Sequence, residues 1–216
     1  MPISKASSNA VAPAALGDLV VGSTTNDSGI LPIGTTGQVL TVAAGTASWA
    51  TPSSGSMTLL STTSLSGATT TISSISQSYK SLYMLIYGVS NATADGYLRI
   101  APNASTGIGN NIIIQAASTA VSSSQGDYLL LTENASTNFQ ARATTTNAFA
   151  VTINNYTSTT NYKPFQSYGY YQKTGPGANA IAISGGLSTN SAITSLVFSN
   201  SGGNISTGTV LLYGVN

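Results

Sequence analysis

The chain contains neither cysteine nor histidine, and its 216 residues include only six Lys or Arg and five Asp or Glu. Without cysteine there is no disulfide framework, no thiolate metal ligand and no thiol nucleophile. Without histidine, a nucleophile–His–acid triad has no base. The enzymatic route left is a pair of carboxylates, as glycan-cleaving enzymes use, and the candidates are Asp18, Asp27, Asp95, Asp127 and Glu133. Asp127 and Glu133 bracket a strand expected at 128–132, which separates them by about 20 Å at strand rise, too far for a direct pair. The expectation is a protein that is not an enzyme and uses no cofactor.

Scarce charge excludes further classes. Nucleic-acid binders cluster Lys and Arg, whereas Lys5, Lys80, Arg99, Arg142, Lys163 and Lys173 are scattered, so no nucleic-acid partner is expected. No apolar run approaches the ~18 residues of a membrane span, and Met1 to Lys5 lacks an apolar signal core; the expectation is synthesis in a cytoplasm without membrane insertion. Asn26-Asp27-Ser28-Gly29 offers oxygen ligands, but a calcium loop wants more carboxylates. It reads as a turn built on Asn and Asp side chains, with no metal site.

What the chain does have is 41% apolar residues and eleven tyrosines among abundant Ser, Thr, Asn, Gly and Ala, a composition that folds rather than staying disordered. Thr51-Pro52-Ser53-Ser54-Gly55-Ser56 reads as a linker between an arm at 1–54 and a domain at 55–216. The arm holds short apolar bursts, Leu19–Gly22, Ile30–Gly34 and Gln38–Val42, too short to make a core in one chain and so in need of a partner surface, the simplest being another copy.

Beyond the linker, β-branched and aromatic runs recur about every ten residues with turn residues between them. Strands are expected near 57–62, 70–75, 80–89, 95–101, 110–116, 127–132, 147–154, 163–171, 179–184, 192–199 and 207–214. The fold class is therefore all-β: a short extended N-terminal arm followed by an antiparallel, jelly-roll-like β-sandwich. Phe149–Ile153 puts its large residues on one face and its small ones on the other. Leu82–Tyr87 is apolar on both faces, which suits a central strand covered twice or a subunit interface.

The aromatic cluster Tyr156, Tyr162, Phe165, Tyr168, Tyr170 and Tyr171 is the richest local feature. Sugars are bound by aromatic faces flanked with amides and hydroxyls, which Asn155, Asn161, Gln166 and Gln172 supply, and Tyr162, Tyr168 and Tyr170 are the candidate glycan contacts. The plainer and stronger reading is core tyrosines with hydroxyls at the rim. Tyr170 and Tyr171 must point to opposite faces. Gly175-Pro176-Gly177 and Gly202-Gly203 lack the Lys and helix of a phosphate loop and read as turns.

Four blocks in order, Gly17-Asp18-Leu19-Val20-Val21-Gly22, Leu31-Pro32-Ile33-Gly34-Thr35, Gly37-Gln38-Val39-Leu40-Thr41 and Ser48-Trp49-Ala50, resemble a module of tail-fibre and other appendage proteins of tailed bacteriophages. Ser74-Ile75-Ser76-Gln77-Ser78-Tyr79-Lys80-Ser81-Leu82 and Leu212-Tyr213-Gly214-Val215 are similar to the opening and closing blocks of phage virion domains. Asn155–Thr159, Tyr162-Lys163 and Ser191–Leu196 fit between them. Relatives of that pattern often carry a Trp before the last block, where this chain has Gly185-Gly186-Leu187, so no contact of that Trp is carried over.

The resemblance implies a virion structural protein on the particle exterior, made in the host cytoplasm. It implies a short homotrimeric fibre or spike whose residues 1–54 attach to other virion proteins of tail or capsid and whose sandwich meets host-surface glycan. The other reading is a capsid decoration or cement protein, a head fibre, with the same arm and a sandwich that merely projects.

Overall fold

A computed structural model describes residues 13–24, 27–52, 56–92, 95–104, 109–115, 122–132, 147–172 and 178–216. Lys5, Asn26, Glu133, Arg142, Lys173 and the 175–177 turn lie outside the described residues. The chain divides into two compact units, Met1–Gly55 and Ser56–Asn216, and the described residues are strand, turn and loop with no helix.

The first unit is two antiparallel hairpins. β1 (Leu19–Thr24) pairs with β2 (Asp27–Leu31), and β3 (Val39–Ala43) pairs with β4 (Thr46–Ala50). Asp27, Ser28 and Gly29 belong to β2, so the turn expected over Asn26–Gly29 is corrected. The four ordered sequence blocks of the arm interlock here. Asp18 accepts the amide protons of Ala14, Ala15 and Ile33 at 2.9–3.0 Å, and these bonds hold its carboxyl below its ordinary value of 3.8. Trp49 Nε1 donates to Pro32 O at 2.7 Å, and the Thr35 amide donates to Gln38 Oε1 at 2.8 Å.

None of the described residues of this unit is fully buried, and Leu16, Val20, Ile33, Val39, Leu40 and Val42 are all exposed. Isolated two-stranded hairpins are marginal in water. Its hydrogen bonds therefore set local shape without supplying a core.

The second unit is an antiparallel sandwich built from β5 (Met57–Ser64), β6 (Thr69–Ile72), β7 (Ser81–Asn91), β8 (Leu98–Pro102), β9 (Gly109–Gln115) and β10 (Ser122–Gly126). β11 (Leu129–Leu130), β12 (Ala148–Asn154), β13 (Lys163–Gln172), β14 (Ala178–Leu187), β15 (Leu196–Asn200) and β16 (Ile205–Val215) complete it. One sheet runs β10-β9-β14-β13-β12-β7-β16-β5 and the other β11-β8-β15-β6. Apart from the β9–β10, β12–β13 and β13–β14 hairpins, every connection passes from one sheet to the other, as in a jelly roll.

The alternation of single residues decides which face is buried. Leu82, Met84 and Ile86 of β7, Phe149, Val151 and Ile153 of β12, and Ile181 and Ile183 of β14 line the inner face of the large sheet. Leu98 and Ile100 of β8 and Leu196 and Phe198 of β15 meet them from the small sheet. Each such side chain contributes roughly 1.5–3 kcal/mol when fully buried, and every fully buried apolar residue described lies in this unit.

Three expectations are corrected. The segment expected as strand over 192–199 becomes β15 only at Leu196, because residues 192–195 form a loop gripped by Asn103. Its Oδ1 accepts from the Thr194 and Ser195 amides at 2.9 and 3.2 Å, and its Nδ2 donates to Ala192 O at 2.8 Å. The strand expected over 127–132 shrinks to β11, with Asp127 outside it, and β10, a polar edge strand, was not anticipated. β7 is central but not covered twice: one face is buried, and Tyr83, Leu85 and Tyr87 remain partly exposed on the other, which leaves the subunit-interface alternative for that face.

The sequence blocks of the sandwich meet at one end of it. Ile75 N donates to Thr194 O at 3.0 Å, Gln77 Nε2 donates to Ile75 O and Ile193 O at 2.9 and 3.0 Å, and Ile193 N donates to Tyr156 O at 2.7 Å. The hydroxyl of Tyr156 donates to Ser76 O. Tyr79 lays its ring against β16 at Gly214, where a Cβ would collide with it. Lys163 completes this plug: it is fully buried, and its ammonium donates to Ser158 O, Asn161 O and Thr189 O at 2.7, 2.7 and 2.9 Å.

A candidate binding groove

The aromatic cluster splits by face. Tyr156, Phe165 and Tyr171 are fully buried, and Tyr171 stacks on Phe149 with ring centroids 6.3 Å apart. Tyr168 and Tyr170 project from the outer face with 61% and 50% of their surface exposed. Tyr162 is also exposed, but it stands before β13 beside a separate hollow formed with Pro164, Gly185 and Gly186. Six residues of strand put it about 20 Å from Tyr168, so the three glycan candidates do not make one patch.

What Tyr168 and Tyr170 join is a set of residues the sequence reading did not include. β12 runs between β7 and β13, and the register places Tyr87, Ala148 and Tyr170 in one cross-strand row and Leu85, Ala150 and Tyr168 in the next. The two alanines are the floor of an open groove of about 440 Å³, with Leu85 and Tyr87 as one wall and the β13 tyrosines as the other. The alternation within 148–153 was the signal that could have found the floor, and the apolar outer face of 82–87 the signal for the wall.

The groove is held from below. Gly169, between the two wall tyrosines, faces inward against the Phe149 ring, which fills the space a Cβ would need. Phe149 in turn packs on Tyr171, so the inner stack fixes the strand whose outer side carries Tyr168 and Tyr170. At the rim, Asn147 Nδ2 donates to Val89 O at 2.7 Å and its Oδ1 accepts from the Gln172 amide at 2.9 Å, tying β7 and β13 together just past the Tyr87–Ala148–Tyr170 row.

The described lining of the groove carries no charge. The eight described strands of the large sheet contain one Asp, Glu, Lys or Arg, and that residue is Lys163, buried at the far end. On the small sheet, Arg99 is engaged locally: Nε donates to Ser199 Oγ at 2.8 Å, and the guanidinium lies 5.0 Å from the Tyr128 ring centroid and 5.8 Å from that of Tyr97. Burial together with the Tyr97 hydroxyl pushes the Tyr128 phenol up. Among the described residues no group of three His, Cys, Asp or Glu could hold a metal ion.

No family model, no curated protein and no solved structure matches this chain. The chemistry of the groove therefore rests on its own residues: aromatic and C–H surface along the walls, tyrosine hydroxyls, and no ionised group among the described lining residues.

Proposed function

We propose that this chain is a non-catalytic structural protein of a tailed-bacteriophage particle, a short trimeric fibre or spike. Residues 1–54 attach it to other virion proteins, and the sandwich is displayed on the exterior to meet host-surface glycan. The observation that carries the reading is the neutral tyrosine groove on a sheet face held from beneath by a packed core. The sequence blocks that resemble phage appendage modules support it. So does a first unit whose apolar side chains find no cover within the described residues, as expected of a segment completed by other copies. Weak contacts of single grooves to glycan gain strength when three copies act together.

Gold-labelled antibody against residues 56–216, imaged on intact particles, tests this. Label at the tail is expected; label over the whole head makes the protein a capsid decoration, and particles that carry none of it remove the virion reading.

A further inference from the structure

The groove has a width set by backbone geometry. Neighbouring strands lie about 4.8 Å apart, so the side-chain columns of β7 and β13, with β12 between them, stand about 9.6 Å apart. A flat ring held edge-on between two walls needs carbon contacts of about 3.5–4.0 Å on each side, or wall faces roughly 7–8 Å apart. Side chains leaning inward from the two columns reach that separation, and the space between them stays open because the intervening positions are Ala148 and Ala150. Any larger side chain on the floor fills the slot. The volume of about 440 Å³ lies within the roughly 300–1,000 Å³ of small-ligand sites.

Resting on the display reading above, we infer that this slot is a saccharide site for the uncharged pyranose ring of a neutral glycan, clasped edge-on between Tyr87 and the pair Tyr168 and Tyr170 over the alanine floor. A pyranose presents C–H surface on both faces and hydroxyls around its edge. The slot is lined by three tyrosines, Leu85 and the methyl groups of Ala148 and Ala150, so it offers aromatic and C–H surface together with phenol hydroxyls. An acidic sugar or a nucleotide brings a charge that no described lining residue neutralises, and burying it unpaired is costly.

A peptide strand seeks free backbone groups, yet β7, β12 and β13 are all internal strands whose ladders are occupied on both sides. A second copy of the chain is the rival occupant, and the sedimentation of a slot-filling variant separates it from a sugar. The uncharged described lining and the small floor between aromatic walls together select the sugar.

The test uses the full-length protein on immobilised neutral oligosaccharides of glucose, galactose, mannose and N-acetylglucosamine beside sialylated and sulfated ones. Binding to at least one neutral series is expected. Ala150→Leu, which fills the slot, and Tyr87→Ala, which removes a wall, should each weaken it at least tenfold, while Tyr162→Ala, outside the groove, leaves it unchanged. Both groove changes lie on an outward face, and thermal melts check that the variants fold.

Neutral glycan bound equally by wild type and both groove variants overturns the groove assignment and leaves glycan display standing. Binding to charged series alone also overturns the groove assignment. No binding to any series sinks both readings. Altered sedimentation of Ala150→Leu would make the slot a subunit contact and overturn the sugar site.

Discussion

Lys163 offers the sharpest test of how the sandwich is held together. Its fully buried ammonium satisfies three backbone carbonyls, two from the turn before β13 and one from the loop before β15, with no carboxylate among them. Lys163→Met keeps the length of the side chain and removes the donor. Hydrogen bonds to charged groups contribute about 1.5–3 kcal/mol each, and dehydrating an ammonium costs several kcal/mol in return. The variant recovers the dehydration cost but leaves three carbonyls at the edge of the core, where water reaches only part of them.

The expected net loss is about 2–4 kcal/mol, or a melting temperature lower by roughly 6–12 °C for a unit of this size. Urea titration followed by tyrosine fluorescence should show a lower midpoint with an unchanged slope. Burial holds the Lys163 amine below its ordinary value of 10.5, so between the folded and unfolded values the unfolded state binds more protons. Wild-type stability therefore gains with rising pH in that window relative to Lys163→Met. A variant as stable as wild type, with no change in pH slope, would refute the cage as a source of stability.

Other consequences can be checked independently. Gly169→Ala drives a methyl into the Phe149 ring and should cost about 1–3 kcal/mol, read as a lower urea midpoint; an unchanged midpoint would show that the inner stack gives way freely. Asp18 is held low by three backbone amides, so its contribution is present above the unfolded carboxylate value near 3.8 and fades as pH falls through the lower folded value. Trp49 fluorescence should report loosening of the first unit below about pH 4, and Asp18→Asn should remove that transition. Deleting residues 1–54 should leave a sandwich that melts cooperatively while trimers and incorporation into particles are lost; a truncated protein that still incorporates would end the anchor role.

What was legible depended on whether the information was local. β12 shows in the sequence because burial of one face forces Phe149, Val151 and Ile153 to alternate with small residues. β10 leaves no trace, since Ser122–Gly126 is a polar edge strand paired to β9. Ile193 misled because its side chain is buried from a loop, where apolar character reports the plug and not a strand. Leu129, Leu130 and Leu131 are all buried, which erases the period that would have marked the ends of β11. In the arm, the apolar bursts were visible but their pairing into hairpins was not, because no buried face disciplined the pattern.

The candidate site divides in the same way. That Tyr168 and Tyr170 share a face and Tyr171 does not follows from the period of a strand. Tyr162 was grouped with them because it is close along the chain, although strand rise carries it to the other end. Tyr87 and Ala148 lie some sixty residues apart in sequence, and only the pairing of β7 with β12 brings them into one row.

The division of labour between plug and groove bears on what a resemblance of short blocks can mean. Ser74–Leu82, Asn155–Thr159, Tyr162-Lys163, Ser191–Leu196 and Leu212–Val215 meet at one end of the sandwich, where Gln77, Tyr156 and Lys163 satisfy backbone groups that would otherwise be left unpaired near a dry core. None of the six groove residues belongs to those blocks. A chain can keep every block, and with it the closure of the fold, while changing the walls and floor of the slot on an outward face where substitution costs little stability. The blocks are therefore evidence for the scaffold, and the evidence for a ligand has to come from Tyr87, Ala148, Ala150, Tyr168 and Tyr170 themselves.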